Sequence, residues 1–242
     1  MERVVYQQMA ELDERHWWYR ARRRIIADLI RREVRPGPGA QILELGCGTG
    51  HNLAMLGDFG HVDGLELDDE AREMSAKRLG REIMSAPLPE LKGVADRHYD
   101  LVGAFDVIEH IEDDRAALAS IATKLKPGGK FIMTVPAHQW MWTAHDVDNH
   151  HKRRYSKRSL RGLIEGSPLK LERIGYFNSL LFPLAVAERA SSKLRGKDSA
   201  DVTLPAKPLN FLLEKVFEAE RYAVGRLPLP PGLSLFAVAS AR

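Results

Sequence analysis

The sequence predicts an α/β fold, a mostly parallel sheet with helices on both faces, and three observations predict it. Short apolar runs alternate with segments of helical period from residue 41 to residue 135. A glycine-rich turn, Gly46-Cys47-Gly48-Thr49-Gly50, directly follows the first run. A second turn, Lys126-Pro127-Gly128-Gly129, separates the last helical pattern from the next run. Such alternation argues for parallel strands joined by crossover helices, and each crossover is right-handed by default.

Residues 11–33 read as a helix. Trp18, Ile25 and Leu29 share one stripe and Ile26 and Ile30 the next, at three- and four-residue spacings. Pro36-Gly37-Pro38-Gly39 ends it. Strands are then expected at 41–45, 61–67, 82–85, 100–105 and 130–135, with helices after the glycine turn, over 69–79 and over 113–125. The helical spacing of that last segment rests on Leu118, Ile121, Ala122 and Leu125. The final third differs: 169–176 and 233–239 read as strands, separated by amphipathic stretches at 180–194 and 209–224 and by prolines at 228, 230 and 231. No internal repeat, low-complexity segment or second-domain boundary is visible.

The chain has 242 residues, 44% hydrophobic and 29% charged, which fits one α/β domain with a modest accessory region and excludes disorder as its main state. Its single cysteine, Cys47, rules out an internal disulfide and a site built on several thiolates. It is compatible with a reducing compartment. Residues 1–10 lack an apolar signal core. The apolar run 179–187 contains Pro183 and falls short of the roughly 20 residues of a membrane span. A cytoplasmic protein is expected. Net charge is +3, yet Arg20, Arg22, Arg23 and Arg24 cluster, as do Lys152, Arg153, Arg154, Lys157, Arg158 and Arg161. These are either solvated helix faces or a surface for an anionic ligand.

The most informative residues are Glu44-Leu45-Gly46-Cys47-Gly48-Thr49-Gly50. Glycine is needed where a chain turns tightly and a ligand approaches the backbone, and the following helix turns its amides toward that ligand. Glu66, near the end of the second strand, can accept hydrogen bonds from both ribose hydroxyls. A dinucleotide fingerprint would require a third glycine where His51 stands.

The stretch 44–50 resembles the first motif of class I S-adenosylmethionine-dependent methyltransferases. Residues 98–102 with Phe105-Asp106-Val107-Ile108-Glu109-His110 resemble the family's fourth-strand motif, and 125–131 its turn into strand five. The resemblance covers 41–136, in the family's order, and points to the type 11/12-like small-molecule branch. It implies a Rossmann-like, doubly wound, mostly parallel seven-stranded sheet with an antiparallel last strand. As a single domain it would comprise an N-terminal helical cap (1–38), a cofactor-binding core (39–176), a helical insertion (177–231) and the final strand (232–242).

Carried over residue by residue, the resemblance implies that Glu44, Gly46, Cys47, Gly48 and Gly50 line the methionine end of S-adenosylmethionine. Glu66 and Leu67 would take the ribose, and Asp106, Val107 and His110 the sulfonium end. The acidic residue often found after strand three is missing from 83–89, so adenine recognition would fall to Ser85 and the backbone near Ala86. Cys47 reads as a small buried hydrophobe rather than a nucleophile.

Methyl transfer from a sulfonium needs alignment more than it needs a base, so the acceptor end is harder to read. One candidate region is the N-terminal helix: Trp17 as acceptor contact or anchor, and Arg20 as partner of the cofactor carboxylate. The other follows strand five, at the carboxyl edge where open α/β sheets bind ligands. There His151, Tyr155 and His145 are the expected catalytic groups, and Trp142, Arg153 and Arg154 the expected acceptor contacts. No metal is expected, for want of a cysteine or a carboxylate cluster to complete a zinc site. The acceptor is expected to be a small molecule or lipid precursor, anionic or partly apolar. Arg189, Lys193, Arg195 and Lys197 beside the apolar run leave peripheral membrane contact as a minority reading. Nucleic acid is a disfavoured alternative, because no appended binding module is visible. A non-catalytic S-adenosylmethionine-binding protein and an NAD-dependent oxidoreductase also stay open. A monomer or homodimer is expected.

Overall fold

The computed structural model describes residues 10–195 and 203–242. Lys197 and the side chains of Lys193 and Arg195 lie outside the described residues. Helix α1 (Trp17–Leu29) begins where His16, in extended conformation, accepts the Trp18 N–H on its ring nitrogen at 3.3 Å. This imidazole cap splits the helix expected over 11–33, because residues 13–15 form a turn before it. At the other end Ile30–Val34 wind as a π-helix until Arg35 turns left-handed at φ +53°.

The strands are β1 (Ala40–Leu45), β2 (Gly60–Leu65), β3 (Tyr99–Phe105), β4 (Leu125–Pro136), β5 (Leu169–Phe177) and β6 (Ser234–Ala241). Their order across the sheet is β2-β1-β3-β4-β6-β5. The first four are parallel, and β6 runs antiparallel to both its neighbours. Among the described residues the sheet thus has six strands rather than the expected seven. The segment expected as a third strand, 82–85, makes one bridge, Leu65 to Met84, held by hydrogen bonds of 2.9 and 3.0 Å. Pro87 and Pro89 follow at once, and proline has no N–H with which to extend a ladder.

Helices α2 (His51–Gly57), α3 (Asp69–Leu79) and α4 (Asp114–Lys124) connect the parallel strands. Asp68 and Asp113 cap α3 and α4 by accepting backbone N–H groups at 3.0 and 2.9 Å. The turn at 126–129 is a loop-out inside β4: Tyr99 pairs with Leu125, yet Leu101 pairs with Lys130. Helices α5 (Ala144–Asp148) and α6 (Lys157–Glu165) follow β4, and α7 (Phe182–Arg195) and α8 (Lys207–Ala219) lie between β5 and β6.

The alternation of side chains along the strands gives two cores. Ile42, Leu101, Ile132 and Phe236 face Ile25, Leu29 and Phe217 of α1 and α8. Leu43, Val102, Phe131 and Leu235 face Leu118 and Ile121 of α4 and Leu160 and Ile164 of α6. Side chains of α1 also reach the carboxyl ends of the parallel strands, where the candidate site is built. Among the described residues no helix is long and apolar enough to cross a membrane.

Candidate active site

The β1 turn is shaped by glycines in the left-handed region. Gly46, Gly48 and Gly50 have φ of +60°, +55° and +83°. A Cβ on Gly46 would lie 2.8 Å from Val107 Cγ2, and one on Gly50 2.9 Å from the Ser75 backbone. Neither position can take a side chain without displacing its neighbour. Two buried carboxylates border this turn. Glu66 accepts the Gly48 N–H at 2.8 Å on one oxygen and the Leu67 and Asp68 N–H groups at 2.8 and 3.0 Å on the other. It therefore ties the β1 turn to the end of β2. A carboxylate offers about four acceptor sites, so capacity remains for ligand hydroxyls.

Glu44 is 1% exposed. One of its oxygens accepts Asn52 Nδ2 at 2.8 Å, and the other has no hydrogen-bond partner. Burial pushes its pKa up to about 8, against the pull of Asn52, Arg22 and Arg23. A buried carboxylate oxygen without a donor is costly, and a ligand ammonium would relieve it. The donor set thus fits the amino-acid end of S-adenosylmethionine.

The Cys47 thiol lies 3.6 Å from Ser75 Oγ, and burial drives its pKa well up, so no thiolate is available. His51, where a dinucleotide loop would have glycine, is buried with Nδ1 2.9 Å from Thr49 Oγ1. Burial pushes its pKa down to about 4. Ser85 and Leu67 are exposed, and Ala86 is buried, beside the end of β2.

Across this edge lies α1. Arg22, 6% exposed, donates to Asp106 Oδ2 at 2.5 Å and to Thr134 Oγ1 at 2.8 Å. Asp106 itself is left-handed at φ +58°, a conformation that a non-glycine residue holds only when its surroundings impose it. Arg22 rather than the expected Arg20 is therefore the arginine at the strand ends. Arg20 instead sits 3.3 Å from Glu214 of α8, with 40% of its side chain exposed. The signal was present in the sequence: Arg22 lies on the apolar stripe, three residues before Ile25 and four before Ile26. Trp17 packs edge-on against Phe217, and its backbone N–H donates to Asn210 Oδ1 at 3.0 Å, which anchors α1 on α8.

The loop after β4 is closed at its base by a bridge between Ala137 and Tyr155. Within it Asp146, fully buried, accepts Arg154 Nε at 2.7 Å and Arg154 Nη2 at 2.8 Å, and the Thr143 N–H at 2.8 Å. His151 Nδ1 lies 2.9 Å from the same carboxylate. These partners outweigh burial and hold the Asp146 carboxyl well below the usual carboxylate range. Of the expected acceptor-side groups, His151 meets the fourth-strand motif, its ring centroid 4.6 Å from that of His110. Burial, aided by His151, pushes the His110 pKa down to about 4. The Tyr155 hydroxyl donates to Asp114 at the start of α4 (2.8 Å), and Arg153 pairs with the same carboxylate at 3.0 Å. His145 is hydrogen-bonded by Asn149, and the Trp142 carbonyl accepts Arg189. Glu109 stands in the fourth-strand motif and Asp146 in the loop after strand five, yet neither was among the expected site residues.

A parallel sheet whose first strand ends in a glycine cradle, and whose second ends in a buried carboxylate, defines a protein that binds a nucleoside cofactor at the strand ends. Comparison with known proteins narrows this. A family model described as "Methyltransferase domain" matches residues 17–173. The chain belongs to that family, within the class I S-adenosylmethionine-dependent methyltransferases. It is 28% identical over 165 residues to a "Probable S-adenosylmethionine-dependent methyltransferase" of Mycolicibacterium smegmatis, covering 66% of this chain and 62% of the relative. It is 32% identical over 108 residues to the ubiquinone biosynthesis O-methyltransferase of Aeromonas salmonicida, covering 40% of this chain and 44% of that one. The chain thus spans about half the length of the curated relatives it matches. Among solved structures, an S-adenosylmethionine-dependent methyltransferase from Archaeoglobus fulgidus superposes with a TM-score of 0.58 at 15% identity, covering 90% of this chain and 94% of that one. At that identity the likeness is one of fold.

Proposed function

We propose that the chain methylates a small-molecule acceptor, with S-adenosylmethionine as donor, as one cytoplasmic domain made of cap, core, insertion and final strand over the boundaries given above. The observation that carries this reading is the pairing of the glycine cradle with two buried carboxylates, one of which keeps an oxygen unpartnered. The cofactor supplies a methyl already activated on a sulfonium. Glu44 takes its ammonium, Glu66 with Leu67 its ribose, and Ser85 and Ala86 flank its base. Asp106, held by Arg22 and Thr134, fixes the edge beside Val107 and His110 where the acceptor meets the methyl. His151 meets that edge through its ring contact with His110, while Tyr155, Arg153 and Arg154 hold the loop in shape around it. The small-molecule class is supported by the quinone-biosynthesis names of relatives.

Calorimetry with S-adenosylhomocysteine and with NAD tests the reading. Binding of the first and none of the second is expected, because His51 fills the place of the third dinucleotide glycine. Tight NAD binding without S-adenosylhomocysteine binding overturns it.

A further inference from the structure

We infer that Glu109, His110 and His151 form a binding site for a divalent first-row transition cation at the acceptor edge. One ligand atom from each of the three lies within 4.8 Å of the others. A small side-chain movement closes that spread onto one ion at the usual ligand distances of about 2.0–2.2 Å. The site is built from two separate pieces of chain. Glu109 and His110 sit on a single 3-10 turn, Ile108–His110, directly after β3. His151 arrives from the loop after β4, pinned there because the neighbouring Lys152 N–H donates to the Glu109 carbonyl at 2.8 Å.

Glu109 supplies the second, independent observation. It is 0% exposed, and neither of its carboxylate oxygens is hydrogen-bonded by another residue. A carboxylate placed in the interior with no donor costs several kcal/mol, and it either keeps its proton or is met by something cationic. The nearest arginines are already committed, Arg22 to Asp106 and Arg154 to Asp146. Beside Glu109, along with the Asp106 carboxylate, lies a pair of imidazoles.

The outer shell has the form that metal sites take. His151 Nδ1 is held by Asp146 at 2.9 Å, which directs Nε2 away from that carboxylate. Asp146 is in turn fixed by Arg154 and by the Thr143 N–H. A carboxylate that orients a histidine through its far nitrogen is the usual second shell of a histidine ligand. Two imidazoles with one carboxylate suit zinc, iron(II), manganese or cobalt better than Mg2+, which prefers all-oxygen sets. Three protein ligands leave open positions, so the acceptor such an ion would take carries an oxygen able to bind it. In that respect the inference rests on the methyltransferase reading and sharpens it.

The test uses the full chain, titrated with CoCl2 with and without S-adenosylhomocysteine, and follows the visible ligand-field absorption of the bound ion. We expect a stoichiometric complex that ZnCl2 displaces and MgCl2 does not. His110→Ala and His151→Ala, each checked by circular dichroism, are expected to weaken Co2+ at least about tenfold, as is Glu109→Gln if it folds. Absence of a bound-ion spectrum in the wild-type chain overturns the inference. So does Co2+ affinity that is unchanged in both histidine variants, which would put the ion on surface histidines. Calorimetry with S-adenosylhomocysteine on the same samples separates the two readings: normal cofactor binding without Co2+ sinks only the cation site, and Co2+ binding without cofactor binding sinks only the methyltransferase assignment.

Discussion

The turn after β1 and the loop after β4 leave the same edge of the sheet, and they are held by different materials. The β1 turn is shaped by backbone: three left-handed glycines, with a carboxylate that accepts three backbone N–H groups. The β4 loop is shaped by side chains, with Asp146 at the centre of an arginine, a histidine and a threonine N–H. A backbone cradle presents the same groups to every ligand of one cofactor type. A side-chain network can be rebuilt residue by residue for a different acceptor.

The comparison can be broken at the centre of the loop. Asp146→Ala leaves the 11%-exposed Arg154 without its partner, and we expect a loss of about 3–5 kcal/mol in urea unfolding. A loss under about 1 kcal/mol would mean that the β4 loop does not depend on its side-chain network. The matching lesion on the other side is Glu66→Ala. S-adenosylhomocysteine affinity, read by calorimetry, is expected to fall by about 1.5–3 kcal/mol. The midpoint of thermal unfolding should fall as well, because the Gly48, Leu67 and Asp68 N–H groups lose their acceptor. Unchanged affinity in a folded variant would move the ribose to another carboxylate.

A third experiment sharpens the backbone side by pH. The Glu44 pKa stands near 8 in the folded chain against an ordinary 4.5. The folded state therefore binds more protons than the unfolded one between those values, and its stability falls as pH rises through that window. The buried His51 and His110, with pKa values near 4 against an ordinary 6.5, act in the opposite sense, and their contribution fades only above about pH 7, where the unfolded chain has lost those protons. From about pH 7 to 8 Glu44 should contribute a fall of about 0.7–1.2 kcal/mol per pH unit, and Glu44→Gln should remove that share, leaving the contribution of the buried Glu109, whose carboxyl is raised as well. The groups that face Glu44 are Arg22 and Arg23 of α1, Asn52 of α2 and Glu66. A wild-type curve with no such slope would mean that Glu44 is already ionised in the free protein.

The smallest effect is expected at Arg20. Its contact with Glu214 is 3.3 Å long and its side chain 40% exposed, so Arg20→Ala should cost under about 1 kcal/mol of stability. Cofactor affinity should stay within about threefold. A larger loss of affinity would return Arg20 to the cofactor carboxylate and leave Arg22 as a purely structural plug.

The sequence by itself determined the sheet of parallel strands and the glycine cradle, because both follow from local rules. Apolar periodicity marks a strand or a helix within a few residues, and a left-handed turn admits glycine almost alone, so Gly46, Gly48 and Gly50 announce their own conformation. Most of α4, β5 and β6 was legible for the same reason. The helix 11–33 was legible in period but not in its interruption, which a histidine cap decides. The strand expected at 82–85 shrank to one bridge because the prolines after it remove donors, an effect of pairing rather than of propensity. Only the tertiary structure decided the loop after β4 and the junction of α1 with the strand ends. Asp146 with Arg154, Tyr155 with Asp114, and Arg22 with Asp106 and Thr134 are partners 8, 41, 84 and 112 residues apart. No spacing rule reaches across such distances, because those contacts are set by where the strand ends bring the chain together.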